Sequence, residues 1–251
     1  VTDTPDDPTD PLAGQTLPAD TVGLLEGLVT TRSIRRYTDD PVPPEALRAM
    51  VFAATRAPSG SNRQPFRFVV LTDSPIAVQA KRLIGDSARA LWGDKRETDR
   101  YDTGSGTQTD SPKARMARTM QRYVDEFERT PVLVLPVFLR YRAPNAVEGA
   151  SVYPACQNLL LAARALGYGG VLTGFHGAVD AELKELLGIP REALIAATIT
   201  IGRPEGNHGP VRRRPLGELV FGDTWGEAPV WAVDPPGTRH TQAGPPKGEA
   251  Q

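Results

Sequence analysis

Apolar residues recur at helical spacing in some stretches of this chain and in short unbroken runs in others, and the two patterns take turns. From Asp20 onward, Leu24, Leu25 and Leu28 mark one face of a helix. The stretch "PPEALRAMVFAATRAP" predicts a second: Pro44 suits the first turn, Leu47, Met50, Val51 and Ala54 share a face, and Pro58 stops it. Phe66 to Leu71 reads as a mostly buried strand. Ser74-Pro75 starts a third helix with Ile76, Ala80, Leu83 and Ile84 inward. Residues 93–112 are polar and predict a loop, followed by a helix around Met116 to Phe127. "PVLVLPVFLRY", from Pro131 to Tyr141, is a β-rich run broken by Pro136. Tyr153 to Leu166 predicts a long helix with "GYGG" as its C-cap; its apolar residues exceed one stripe, so it is central or sits at a subunit contact. A short strand near Val171, a helix from Asp180 to Leu187 closed by Gly188, and a strand from Leu194 to Ile201 complete the order. The expected architecture is α+β around a modest sheet, one domain over 20–232. Unstructured tails are expected at 1–19 and 233–251, both rich in Pro, Gly and charge.

Composition narrows the function more by exclusion than by assertion. In 251 residues, 39% are hydrophobic and 24% charged, as in an ordinary water-soluble globular protein. A formal net charge of −1 gives no electrostatic case for nucleic acid or an anionic membrane. Of 29 basic residues only five are Lys, leaving 24 Arg, so an anion site here will be built from guanidinium forks. Cys156 stands alone within an apolar run, which excludes an intramolecular disulfide and favours a buried filler over a nucleophile. No apolar run approaches the roughly 20 residues of a membrane span, and no signal peptide is recognised, so a cytoplasmic location is expected.

Four clusters carry candidate chemistry. In "TTRSIRRYTDD", Arg32, Ser33, Arg35 and Arg36 follow the first helix; they could simply compensate its dipole, or form a bidentate anion site. Arg212, Arg213 and Arg214 in "VRRRP" follow the last strand, roughly 180 positions later, and hint that both clusters meet one phosphate. In "RAPSGSNRQPFRFVVL", a helix stop and a turn account for Pro58 and Gly60. They do not account for Asn62 and Gln64, which with Ser59 and Ser61 offer hydroxyls and amides of both polarities. In "GGVLTGFHG", the backbone N–H groups near Thr173 and Gly174 could meet a flat ligand edge. Dinucleotide, Walker and nucleophile-elbow motifs are absent, and the three His residues have no partners at metal-ligand spacing. With no nucleophile, metal or general base in evidence, the chemistry must belong to a borrowed cofactor.

At this point the chain resembles the nitroreductase family of FMN-dependent oxidoreductases. "TTRSIRRYTDDPVPPEALRAMVFAATRAPSGSNRQPFRFVVLTD" is similar to its amino-terminal half. "SVYPACQNLLLAARALGYGGVLTGFH" and "IGRPEG…VRRRPLGELV" are similar to its later blocks. The resemblance implies an α+β fold with a mixed or antiparallel central sheet, a domain-entwined homodimer, and an FMN in each interface cleft. It implies that Arg32, Ser33 and Arg35 hold the phosphate, ribityl chain and pyrimidine edge. Pro58, Ser59, Gly60 and Asn62, with Gln64 a further candidate, would reach the flavin from the neighbouring subunit. The amides of Thr173 and Gly174 would face the N5–O4 edge, and Arg213, with Arg212 or Arg214, would bind phosphate. No side chain need be catalytic: hydride passes from NADH or NADPH to the flavin N5, then to a nitroaromatic, quinone or similar flat electrophile, in ping-pong order. A dehydrogenase working oxidatively in natural-product metabolism, or an FMN-sequestering protein, would share the same motifs.

The chain departs from the family pattern in two places. Thr31 stands where many members carry a further basic residue, a loss for which Arg36 could compensate. Ser33 stands where the FMN-cleaving relatives carry an acidic one, which disfavours that branch. Residues 85–129 correspond to the family's variable lid region, with Trp92, Tyr101, Tyr123 and Phe127 as candidate aromatics to cover the ring and a core role equally open for Phe127.

Overall fold

The computed structural model describes residues 17–240. Most of both expected tails, 1–16 and 241–251, lies outside the described residues. At the centre is one antiparallel sheet of five strands: β1 (Phe66–Leu71), β2 (Val132–Phe138), β3 (Gly169–Thr173), β4 (Leu194–Ile195) and β5 (Thr198–Gly202). The order is β1-β2-β5-β3, and β4 pairs with β2 ahead of β5.

Every residue of β2 is buried because helices cover both of its faces. Val132, Val134 and Phe138 join a core with α2 (Pro44–Thr55) and α5 (Tyr153–Ala165), around Met50 and Leu159. Leu133, Leu135 and Val137 point the other way, towards α3 (Pro75–Thr98), α4 (Pro112–Asp125) and α6 (Asp180–Leu187), around Ile84, Phe127 and Leu183. The period of two in side-chain direction makes one apolar strand serve two cores.

The expected break at Pro136 does not occur. β2 runs straight through it, with Pro136 opposite Phe68 of β1. On its other side the register shifts by one residue: Val137 pairs with Ile195, but Val134 pairs with Ile199. Pro136 sits at that bulge, where a missing N–H breaks no ladder bond, and its carbonyl still accepts from the Ala196 N–H at 2.8 Å.

The expected loop over 93–112 is also partly helix, since α3 continues to Thr98. "GDKRET" is polar but rich in helix formers, and buried Ala88 and Trp92 anchor the turns ahead of it. Ser74 and Ser111 cap α3 and α4, accepting from the N–H groups of Ala77 and Ala114, each with proline in the first turn. The second of these caps starts α4 ahead of Met116. Of the glycines in "GYGG", only Gly167, at φ +78°, follows the helix end; Gly169 and Gly170 lie within β3. Gly188, at φ +65°, closes α6 as expected.

The first helix, α1 (Leu24–Thr30), forms where the periodicity places it, but its leucines face outward. Leu24, Leu25 and Val29 are 72%, 77% and 61% exposed. No helix among the described residues is long and apolar enough to cross a membrane.

Candidate functional site

The segment after α1 lies across one end of the sheet. Its backbone is fixed at three points: the Ile34 N–H donates to Gly170 O at 3.0 Å, Thr38 N–H to Arg203 O at 2.9 Å, and Glu205 N–H to Arg36 O at 3.1 Å. Glycines make this approach possible. A Cβ on Gly169 would lie 2.5 Å from Ile34 Cγ1, and one on Gly202 would lie 2.9 Å from the Tyr37 ring. Arg32 and Ser33 are left exposed, and Arg35 turns inward beside Tyr37 and Tyr123.

Burial lowers the Arg35 pKa from its ordinary value, and its buried Nε meets no acceptor among the described residues. Its two phenolic neighbours share one partner: Tyr37 Oη and Tyr123 Oη lie 2.9 and 2.8 Å from Thr200 Oγ1. Burial raises both phenol pKa values, so they stay neutral. A pocket of about 180 Å³ opens here, lined by Arg32, Ser33, Arg35 and Arg36, with Thr119 and Asn207 opposite.

The second arginine cluster is tied to the end of α1 by one backbone bond, and its side chains do not line the pocket. The Val211 N–H donates to Val29 O at 3.3 Å, which brings Arg212 and Arg213, both exposed, alongside the end of α1. Arg213 Nη1 donates to its neighbour's carbonyl, and Arg214 is 3.9 Å from Glu218, so neither side chain points into the pocket as it stands. Two residues not anticipated as site members stand nearby. Arg164 Nε donates to Thr30 Oγ1 at 3.2 Å, and His208 Nε2 lies 3.1 Å from Tyr168 O. Burial first, then Arg164 and Arg32, lower the His208 pKa and hold its ring neutral. His208 has no partner at metal-ligand spacing in the sequence, and only the fold sets it beside Arg164 and Arg32.

Thr173 and Gly174 end β3, four residue steps from Gly169, or roughly 13 Å along the strand. Thr173 Oγ1 donates to Thr198 O at 3.3 Å, and the Gly177 N–H returns to Gly174 O at 3.0 Å. His176 supports that turn from beneath, with Nδ1 3.1 Å from Thr198 Oγ1 and a pKa lowered by burial.

The serine-rich stretch is a strained loop. Ser61, Asn62 and Gln64 have φ of 53°, 50° and 49°, three of the five non-glycine residues with positive φ among those described. Each such residue costs about 1 kcal/mol or more, a cost that concentrates at functional positions. Part of the polarity is structural: Ser59 Oγ accepts from the Gln64 N–H at 2.9 Å, and Gln64 Nε2 donates to Asn62 Oδ1 at 3.2 Å. Ser61, Asn62 and Gln64 remain exposed around Gly60, so the loop forms an open cradle of amides and hydroxyls.

The cradle and the arginine segment do not meet within one chain. Gly60 N–H donates to Ser151 Oγ at 3.2 Å, at the amino end of α5, whereas Thr21, Thr30 and Arg164 gather at its carboxyl end. Thirteen residues of helix separate them by roughly 20 Å. Thr173 and the cradle lie at the same end of the sheet but on opposite edges, three strand spacings or roughly 14 Å apart.

Of the aromatics expected over the ring, Trp92 and Tyr123 are instead buried, 3% and 3% exposed, and Phe127, 0% exposed, takes its core role with them behind the sheet. Their apolar spacing on α3 and α4 is that of core-facing positions. Tyr101 packs on Trp92 at 5.1 Å between ring centroids. Cys156 is fully buried, and burial pushes its thiol pKa up to about 12, so it is inert filler.

Fold and site together define a class: an α+β protein on an antiparallel sheet, with a basic segment near the carboxyl end of α5 and a separate polar cradle at its amino end. The nitroreductase family model matches residues 28–203, and the chain belongs to that family, as an oxidoreductase. An NADH dehydrogenase of Thermus thermophilus is 31% identical over 196 residues, spanning 76% of this chain and 91% of that protein. A structure from Desulfovibrio desulfuricans, assigned as a nitroreductase in complex with FMN, is 29% identical with a TM-score of 0.59, covering 81% of this chain and 98% of that one. The NADPH:FMN oxidoreductase of Vibrio harveyi, complexed with NAD+, has a TM-score of 0.59 over 81% of this chain and 78% of its own. At 21% identity it is a likeness of fold.

Proposed function

We propose that the protein is a homodimeric FMN-dependent oxidoreductase that uses NADH or NADPH to reduce nitroaromatics, quinones or similar flat electrophiles. The observation that carries this reading is the pocket of about 180 Å³ lined by Arg32, Ser33, Arg35 and Arg36, where the buried Arg35 Nε meets no acceptor among the described residues. A donor withdrawn from water without a partner costs stability unless a ligand supplies the acceptor.

In this reading Arg32 and Ser33, with Arg212 or Arg213, hold the phosphate, and Arg35 sits at the pyrimidine edge. The flavin, when bound, supplies the redox chemistry, accepting hydride from the nicotinamide and passing electrons to the second substrate at the same face. Arg35 stays protonated despite its lowered pKa, and the two neutral phenols beside it do not cancel its charge. It therefore offers fixed positive charge where reduction of the cofactor builds negative charge. The amides of Thr173 and Gly174 orient the ring from its other edge. Pro58, Ser59, Gly60, Asn62 and Gln64 close over it from a second copy. The roughly 20 Å between the two half-sites supports assembly from two chains, as do the outward leucines of α1.

An absorbance spectrum before and after anaerobic NADPH or NADH tests the proposal. Yellow protein that bleaches is the expected result. Protein that stays colourless when FMN is supplied, or bound flavin that neither nicotinamide bleaches, overturns it.

A further inference from the structure

The loop over 139–151 is pinned to the cradle at both ends. It leaves β2 where the Leu139 N–H donates to Pro65 O at 2.8 Å, and it returns where Ser151 Oγ accepts from the Gly60 N–H at 3.2 Å. Its neck is closed by Arg140, which donates through Nη2 and Nε to the two Glu148 oxygens at 2.8 and 3.1 Å. That carboxylate is thereby committed.

At the rim between loop and cradle stands Tyr141, 44% exposed, with two further guanidiniums against its ring. Arg63 Cζ lies 4.7 Å and Arg142 Cζ 5.4 Å from the ring centroid. Neither arginine makes an ion pair among the described residues, and both are exposed. A third, Arg67, is already used, donating through Nη1 to Gln64 O and Phe66 O at 3.0 and 2.8 Å. Stacking on an aromatic face holds a guanidinium in place while leaving its N–H edge free for an oxyanion. Arg142 stands near enough to Glu148 to help hold its carboxyl low, but both oxygens of that carboxylate already accept from Arg140, so two exposed guanidiniums gather at the edge of the cradle with no ion pair of their own among the described residues.

We propose that Arg63, Tyr141 and Arg142 form a recognition subsite for an anionic group on the molecule that occupies the open face of the flavin. This rests on the dimeric flavoprotein reading above, in which the cradle borders the ring held by the other copy. The group is an oxyanion, either a carboxylate on the electrophilic substrate or the 2′-phosphate of the nicotinamide donor. The subsite then sets which substrates or donors are preferred, and leaves the hydride chemistry unchanged.

The test uses the flavin-loaded dimer and the variant R63Q/R142Q, with flavin content and spectrum checked first. Dissociation constants for 4-nitrobenzoate and 4-nitrobenzamide, which differ in charge, are read from perturbation of the flavin spectrum. KM values are compared for NADPH and NADH. The variant is expected to lose about tenfold in affinity for the more anionic member of one pair and to change little for the other member. Loss confined to nitrobenzoate assigns the subsite to the substrate, and loss confined to NADPH assigns it to the donor. Wild-type ratios retained in both pairs, or equal loss for charged and uncharged members, overturns the proposal. Wild-type protein that binds no flavin sinks the underlying reading, and the subsite with it.

Discussion

Arg35 concentrates the argument at the scale of single residues. Glycine at positions 169 and 202 lets its segment lie on the sheet, and that placement carries the guanidinium inward beside two neutral phenols. Its Nε meets no acceptor among the described residues, which in the proposed reading leaves it for the bound anion. Arg35→Ala should release flavin while leaving the far-ultraviolet dichroism unchanged. Each charged hydrogen bond removed is worth about 1.5–3 kcal/mol, which raises the flavin dissociation constant tenfold to a hundredfold or more. Unchanged flavin content in the purified variant would show that the site is misplaced.

Among the elements, the loop over 139–151 has the clearest division of labour. The Arg140–Glu148 pair shapes it, with side chains 25% and 15% exposed, and the arginines at its rim stay available. Hydrogen bonding to Arg140 first, and then its positive charge, hold the Glu148 carboxyl below its ordinary value of 4.5. A carboxylate depressed in this way contributes stability that is present above that ordinary value and is lost as pH falls through the lower folded one. Glu148→Gln removes the charge at any pH. We expect hydrogen-exchange protection of the loop to fall several-fold at pH 7 in the variant, as it does in the native protein only in acid. Global stability should drop by about 1 kcal/mol or less, because the pair is partly solvated. Protection identical to the native protein at pH 7 would mean that the backbone bonds at Leu139 and Gly60 suffice.

For the whole molecule, the outward face of α1 is the feature a single chain leaves unexplained. Leu25, Leu28 and Val29 are exposed along α1, and Leu24 lines, with Val22 and Leu161, an apolar hollow of about 280 Å³ between α1 and α5. An apolar surface of this kind beside half of a divided site is what a second copy would cover. Leu25→Asp places a charge where it costs the single chain little, since the side chain is 77% exposed. Sedimentation should show the variant shifted to monomer, with flavin lost in parallel. A Leu25→Asp protein that remains dimeric and yellow would rule out this face as the seam.

Local chemistry was legible along the chain because it is written in short-range spacing. The serine-proline cap at Ser74, the bounds of α2 and α6, the runs that became β1 and β2, and the arginine and serine-rich clusters are all decided by neighbours within a few residues. Periodicity marks a residue as facing something apolar without saying what. The spacing of Trp92 and Tyr123 is therefore equally that of ligand covers and of core, and only the packing of α3 and α4 on the sheet makes them core, as Phe127 also is. Pro136 read as a break until the neighbouring strands supplied a bulge to receive it. The packing of helices on the sheet alone decided that Arg35 is drawn inward, that the cradle and the arginines stand at opposite ends of α5, and that Arg63, Tyr141 and Arg142 come together. Those separations and meetings depend on contacts between residues far apart in the chain, which no local pattern encodes.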